Sequence, residues 1–230
     1  MISCVAFDFD GTLVNSNRIK NQTFYDVTQP YDPDGSTVTR ILQQHPNHDR
    51  YGIFHEIVRD LSANGHPALL LSQETLAAQW AEAYTVACEQ AIAHCPEVPG
   101  TSEILNWISS HHIPIFVNSR TPITTLRRLI ATRSFNHYIT DVYGAPTSKS
   151  ENLQRIQERT RKPLHEILMV GDSEDDRKAA SEVGCNFVGV NLGKDIGFDF
   201  RPNYTVNNLT KLKIFINSGG THYNDTTNNY

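Results

Sequence analysis

Asp8 and Asp10 stand two positions apart in "AFDFDGTLVNS" (6–16), at the end of an apolar run and directly before Gly11 and Thr12. Residues two apart on a strand share a face, so both carboxylates leave the strand on one side. A carboxylate at Asp8 can attack phosphorus and carry the phosphoryl group, which splits one hard displacement into two easier ones. A carboxyl at Asp10 can protonate the leaving oxygen and then take a proton from the attacking water. Gly11 permits a sharp turn after the strand, and the backbone N–H groups of such a turn can point at phosphate oxygens. Two carboxylates facing a phosphate repel it unless a cation intervenes. Mg2+ takes oxygen ligands, keeps some of its waters and bridges carboxylate to phosphate. Three more groups suit the same chemistry. The Ser119 hydroxyl of "FVNSRTP" can donate to a phosphate oxygen. The Lys149 ammonium of "TSKSEN" can balance the shared negative charge. Asp172 opens the acidic run of "GDSEDD". Asn118 is the alternative to its neighbour Ser119, and the hydroxyl favours Ser119.

The elements that must position these groups are legible as a rhythm. Ile2 to Phe9 is a short apolar run that reads as a buried parallel strand. After residue 99 strands are expected at 113–119, 138–145, 166–173 and 186–193, with a short one near 204–207. Helices are expected between them at 121–133, 148–160 and 174–184, with a closing helix at 209–216. Pro122 falls in a helix first turn, where proline costs least, and Gly184 suits a helix end. Alternation of this kind means a parallel sheet covered on both faces, whose ligands bind beyond the carboxyl ends of the strands. Asp8 and Asp10, Ser119, Lys149 and Asp172 follow four successive strands in that order. Singly they have ordinary readings: strand punctuation, a turn hydroxyl, a helix lysine, a helix N-cap. Together they converge on one cleft.

Residues 17–98 read differently, with helical patterns and little strand. "YGIFHEIVRDL" (51–61) puts Ile53, Phe54, Ile57, Val58 and Leu61 on one helical face. A long helix is expected over 72–95, with Ser72 as its N-cap, ending at "CPEVPG". The tail 217–230 is polar and aperiodic, and disorder is expected there.

With these residues in order, the sequence resembles the haloacid dehalogenase superfamily of phosphohydrolases, in the phosphoglycolate phosphatase-like subgroup with a helical cap inserted after the first strand. "DFDGTLVNS" resembles the family's first motif, Ser119 its second, Lys149 its third and "GDSEDD" its fourth. The motifs cover about 1–16 and 99–207, and the cap resembles the family by position and helical character only. The resemblance implies an α/β fold, a Rossmann-like parallel-sheet core of 1–16 and 99–216 with a helical cap of 17–98. It implies a Mg2+ site formed by the Asp8 and Asp172 side chains and the backbone carbonyl of Asp10. Family spacing makes Asp176, rather than Asp175, the partner that orients the metal site, and leaves Asp175 as a solvated residue of a helix first turn. The implied activity is a Mg2+-dependent phosphatase that hydrolyses a small-molecule phosphomonoester through an aspartyl-phosphate. Sugar phosphates, phosphoglycolate and nucleoside monophosphates all stay open. The alternatives are a phosphomutase of the same fold and a phosphate-binding regulatory protein without turnover. Dehalogenation is disfavoured because Asp10 would have no role in it. In the cap, Arg50 of "HPNHDRYGIFHEI" (45–57) precedes a helix. It can close over the phosphate or a second anionic group, or be a surface charge.

Composition limits the partners. The 230 residues carry a formal net charge of -5 and no basic tract, so neither a nucleic acid polymer nor an anionic membrane is an expected partner. No apolar run approaches a membrane span. Cys4, Cys88, Cys95 and Cys185 match no zinc or redox spacing and are expected to be reduced, partly buried thiols. The chain enters its first strand without a signal-like segment, so a cytoplasmic location is expected. The histidines show no metal-binding spacing, and His111 and His112 read as a surface helix end. Oligomeric state is not legible.

Overall fold

The computed structural model describes residues 1–45, 48–65, 72–192 and 204–219. Its described residues fall into two compact units, Met1–Ser16 with Cys95–Tyr230, and Asn17–His94. The first is built on six strands: β1 (Cys4–Phe7), β2 (Ile115–Pro122), β3 (Asp141–Ala145), β4 (Ile167–Gly171), β5 (Asn186–Val190) and β6 (Thr205–Val206). They lie in the order β3-β2-β1-β4-β5-β6, and every pairing is parallel. The two central strands, "CVAF" and "ILMVG", are buried throughout, which is why they read as unbroken apolar runs rather than alternating ones. Phe7 pairs with Val117 on one side and Val170 on the other. The residues that follow each of these therefore emerge at one edge of the sheet.

Strand β2 runs past the expected end at 119. Asn118 pairs with Tyr143 and Pro122 with Ala145, so β2 uses more residues than β3 between the two pairs and bulges. The bulge sits beside Gly144, where a Cβ would meet the carbonyl oxygen of Thr121 and the backbone of Ile123. Only a residue without a side chain allows that approach.

The second unit is helical: α1 (Asn17–Thr28), α2 (Ser36–Gln44), α3 (Arg50–Ala63) and α4 (Gln73–Ala93). Ser72 caps α4 as expected, accepting from the Thr75 amide at 3.3 Å, and Asp49 caps α3 from the Gly52 amide. Helix α2 begins after Gly35, which has no side chain to offer. The buried Asp32 carboxylate instead accepts from the amides of Thr37 and Val38 at 3.3 and 2.9 Å. The apolar faces meet in an aromatic cluster. Phe24 lies 5.1 Å from Phe54 and 4.5 Å from Tyr84 between ring centres, and Trp80 packs on Tyr31 at 5.0 Å.

Helices α5 (Thr101–Ser110), α6 (Ile123–Ala131), α7 (Lys149–Thr160), α8 (Glu174–Val183) and α9 (Leu212–Asn217) belong to the sheet unit. Leu153 and Ile156 of α7 and Ala179 and Ala180 of α8 pack against Ala6, Phe116 and Met169 of the sheet. The expected alternation starts with the strand at 113 and omits α5, although Ile104, Leu105 and Ile108 bury one face of it. The chain leaves and re-enters this unit side by side: the Asn15 amide donates to the Pro96 carbonyl, and the Val98 amide to that of Leu13. The expected disordered tail lies, from residue 220 on, outside the described residues. All four cysteines are free thiols. Among the described residues no helix is long and apolar enough to cross a membrane.

Candidate active site

At the end of β1 the Asp8 amide still donates to the Val170 carbonyl of β4, at 2.8 Å, so the ladder holds Asp8 at the sheet edge. The chain then folds back on itself. Gly11 adopts φ 75°, its amide donates to the Val14 carbonyl, and the amides of Leu13 and Val14 both return to the Phe9 carbonyl. This turn leaves the carboxylates of Asp8 and Asp10 at 6% and 7% exposure. Asp10 is gripped at both oxygens. The Ser16 hydroxyl donates to one at 2.6 Å, and the Thr121 hydroxyl to the other at 2.9 Å.

Lys149 is the first residue of α7. Ser148 and Glu151 close a reciprocal capping box around that helix start, which fixes where the lysine leaves the backbone. Its ammonium lies 2.5 Å from Asp176, 3.3 Å from Asp8 and 4.0 Å from Asp175. Burial works against this cation, but the carboxylates of Asp176 and Asp8 outweigh it and hold Lys149 above the ordinary lysine value. Asp176 is fully buried in a second capping box, with the Ser173 hydroxyl and amide both donating to it. A Cβ on Gly171 would overlap the Asp176 side chain, so the glycine at the end of β4 is what admits that carboxylate. Asp175 is half exposed and also faces Arg120 at 4.0 Å.

Carboxylate oxygens of Asp8, Asp172 and Asp176 lie within 4.8 Å of one another. Burial pushes the Asp8 carboxyl well above its usual range. Lys149 lowers it, but not enough, and the charges of Asp176, Asp172 and Asp10 raise it further. Asp8 Oδ1 is buried and accepts no hydrogen bond among the described residues. Such an oxygen calls for a cation beside Lys149, and hard oxygen donors suit Mg2+, so the residues present fit that ion.

Ser119 is buried in the bulge of β2, and its Oγ accepts from the Thr121 amide at 3.2 Å. Its rival Asn118 is committed elsewhere, donating to the Lys149 carbonyl at 3.0 Å and accepting from Asn152 at 3.1 Å. Thus Asp8, Asp10, the Gly11 turn, Ser119, Lys149, Asp172 and Asp176 all gather at one edge of the sheet unit. Arg50 does not belong to that unit. It opens α3 of the helical unit with its guanidinium 4.7 Å from the Tyr51 ring centre.

A family model described as haloacid dehalogenase-like hydrolase matches residues 5–190. The chain belongs to that family. A phosphoglycolate phosphatase of Photobacterium profundum is 25% identical to this haloacid dehalogenase-like hydrolase over 201 residues, 85% of this chain and 86% of that protein. Two solved structures show the same fold. The HAD-hydrolase YfnB of Bacillus subtilis, bound to magnesium, gives a TM-score of 0.72 at 14% identity, covering 94% of this chain and 99% of its own. A CbbY variant of Rhodobacter sphaeroides in complex with xylulose-1,5-bisphosphate gives 0.65 at 15% identity, covering 92% and 96%. This member of the family places two hydroxyls on Asp10, from Ser16 and Thr121. Ser16 closes the first motif and Thr121 lies two residues past Ser119, but neither position by itself announces the contact.

Proposed function

We propose that this hydrolase is a Mg2+-dependent phosphatase that hydrolyses a small-molecule phosphomonoester through an aspartyl-phosphate on Asp8. The observation that carries the reading is the buried, unbonded Asp8 Oδ1, 3.3 Å from the Lys149 ammonium, next to an Asp10 held at both oxygens. Asp8, Asp172 and the Asp10 carbonyl would hold Mg2+, with Asp176 orienting Lys149 behind them. When bound, the ion neutralises the carboxylates and polarises the phosphoryl oxygens. Asp8 forms a bond to phosphorus as the ester P–O bond breaks, and Asp10 gives its proton to the departing alkoxide. Water then attacks the phosphorus, Asp10 takes its proton, and the bond to Asp8 breaks to release inorganic phosphate, which restores the Asp8 carboxylate and the Asp10 acid. The Ser119 hydroxyl and Lys149 hold the phosphoryl oxygens through both steps, and the Gly11 turn, whose Gly11, Leu13 and Val14 amides pair within the turn, offers them the rest of its backbone.

The helical unit is inserted between Asp10 and α5, and we infer that it serves as the cap that selects the substrate, with Arg50 as its candidate anion-binding residue. The Photobacterium relative makes phosphoglycolate the first substrate to try, and the CbbY complex adds sugar phosphates. The test is phosphate release from p-nitrophenyl phosphate and a panel of phosphoglycolate, sugar phosphates and nucleoside monophosphates. Wild type with Mg2+, wild type with EDTA and Asp8→Asn are compared. Release that depends on the metal and vanishes in the variant is expected. No release under any condition would sink the reading.

A further inference from the structure

We propose that Thr121 is a positioning residue for Asp10, and through it for protonation of the leaving group, in the hydrolysis proposed above, on which this inference rests. Rotation of a carboxyl group about its last bond is soft. At Asp10 it is arrested, because Ser16 and Thr121 each hold a different oxygen, at 2.6 and 2.9 Å. A hydroxyl accepts as readily as it donates, so the same contact serves the carboxylate and the carboxylic acid. The Thr121 amide also donates to Ser119 Oγ at 3.2 Å. One residue therefore sets the spacing between the group that protonates the ester oxygen and the hydroxyl offered to the phosphate.

The backbone is shaped for this contact. Thr121 lies inside the bulge of β2, and bulges beside active sites re-aim a side chain. Gly144 permits the bulge, since a Cβ there would meet the Thr121 carbonyl oxygen. The ordinary use of a threonine before a helix is to cap it, but α6 has Pro122 at its cap position and receives no side-chain cap. The hydroxyl is turned to Asp10, 111 residues away in sequence.

A misaimed acid harms only leaving groups that need a proton. The experiment measures kcat/KM, which reports events through leaving-group departure, for wild type, Thr121→Val, Thr121→Ala and Thr121→Ser. Substrates are simple alkyl phosphates, whose alkoxides need protonation, and p-nitrophenyl phosphate, whose phenolate leaves without it. Circular dichroism and thermal midpoints report folding, and either of the first two variants suffices. The expected result is a loss of about 10-fold or more on alkyl esters against less than about 3-fold on the aryl ester, with Ser restoring most of it. A uniform loss on both classes, or no loss on alkyl esters, overturns the inference while leaving the phosphatase reading in place. A wild type inactive on every ester overturns that reading, and the inference with it.

Discussion

In the sheet unit, Asp8, Asp10, Lys149 and Asp176 are all drawn below the surface and answer one another across strand ends and helix starts. In the helical unit, what is buried is mostly aromatic and aliphatic carbon, around Phe24, Phe54, Trp80 and Tyr84. Among the described residues Asp32 is the buried carboxylate there, and both its oxygens go to amides at the start of α2. Burying charge is costly unless each charge is matched, whereas burying rings is favourable in itself. The first unit thus holds charges ready for chemistry, and the second holds a shape. Substitutions that separate activity from stability test this division.

The largest effect is expected at Asp8. Asp8→Asn keeps the side chain's size and removes a charge whose burial outweighs its attraction to Lys149. Phosphate release falls to background while the thermal midpoint stays level or rises. A variant that unfolds instead would mean that the charge is structural and would erase the contrast between the units.

Lys149→Met is expected to damage both properties. It leaves Asp8 and Asp176 facing each other without their ammonium, and removing one partner of a buried ionic group typically costs about 3–5 kcal/mol. Denaturant titration in the presence of EDTA reads that loss directly, because no added dication then takes the lysine's place. In the helical unit Phe54→Ala empties a fully buried ring site and is expected to cost about 3–5 kcal/mol. In the protein that remains folded, kcat on p-nitrophenyl phosphate stays close to wild type. A kcat that falls in step with Phe54 would break the division.

What is legible in the sequence follows the same division. The carboxylates and the lysine proposed to act on the phosphate can be read because phosphoryl chemistry would demand such groups at the ends of successive strands, and sheet order does the rest. Ser119 is readable for its hydroxyl, and the structure adds the reason Asn118 is unavailable: both ends of its amide are tied to α7. The Thr121 contact is not readable, because the pattern ends the strand at 119. A bulge that carries β2 on to Pro122 depends on Gly144 of another strand. Helix α2 is hidden for a similar reason, since its cap comes from Asp32 and not from the residue just before it. Local pattern reveals elements whose cause is local.

The smallest effect sharpens the comparison within the sheet unit, at the exposed capping box that launches Lys149. The Ser148 amide and hydroxyl donate to Glu151 at 3.0 and 2.9 Å, and the amide contact first, then the hydroxyl, hold its carboxyl below the ordinary glutamate value. A carboxyl group with a lowered folded-state pKa stabilises the fold above its unfolded value, and that stabilisation disappears as pH falls through the folded value. Glu151→Gln keeps an acceptor and cannot ionise. Wild type is therefore expected to melt slightly above the variant near neutral pH, with the gap closing as pH drops below about 4. Thermal midpoints of the pair across that range decide it. A constant gap would show that the box acts through geometry alone, and that charge in this unit matters only where it is buried.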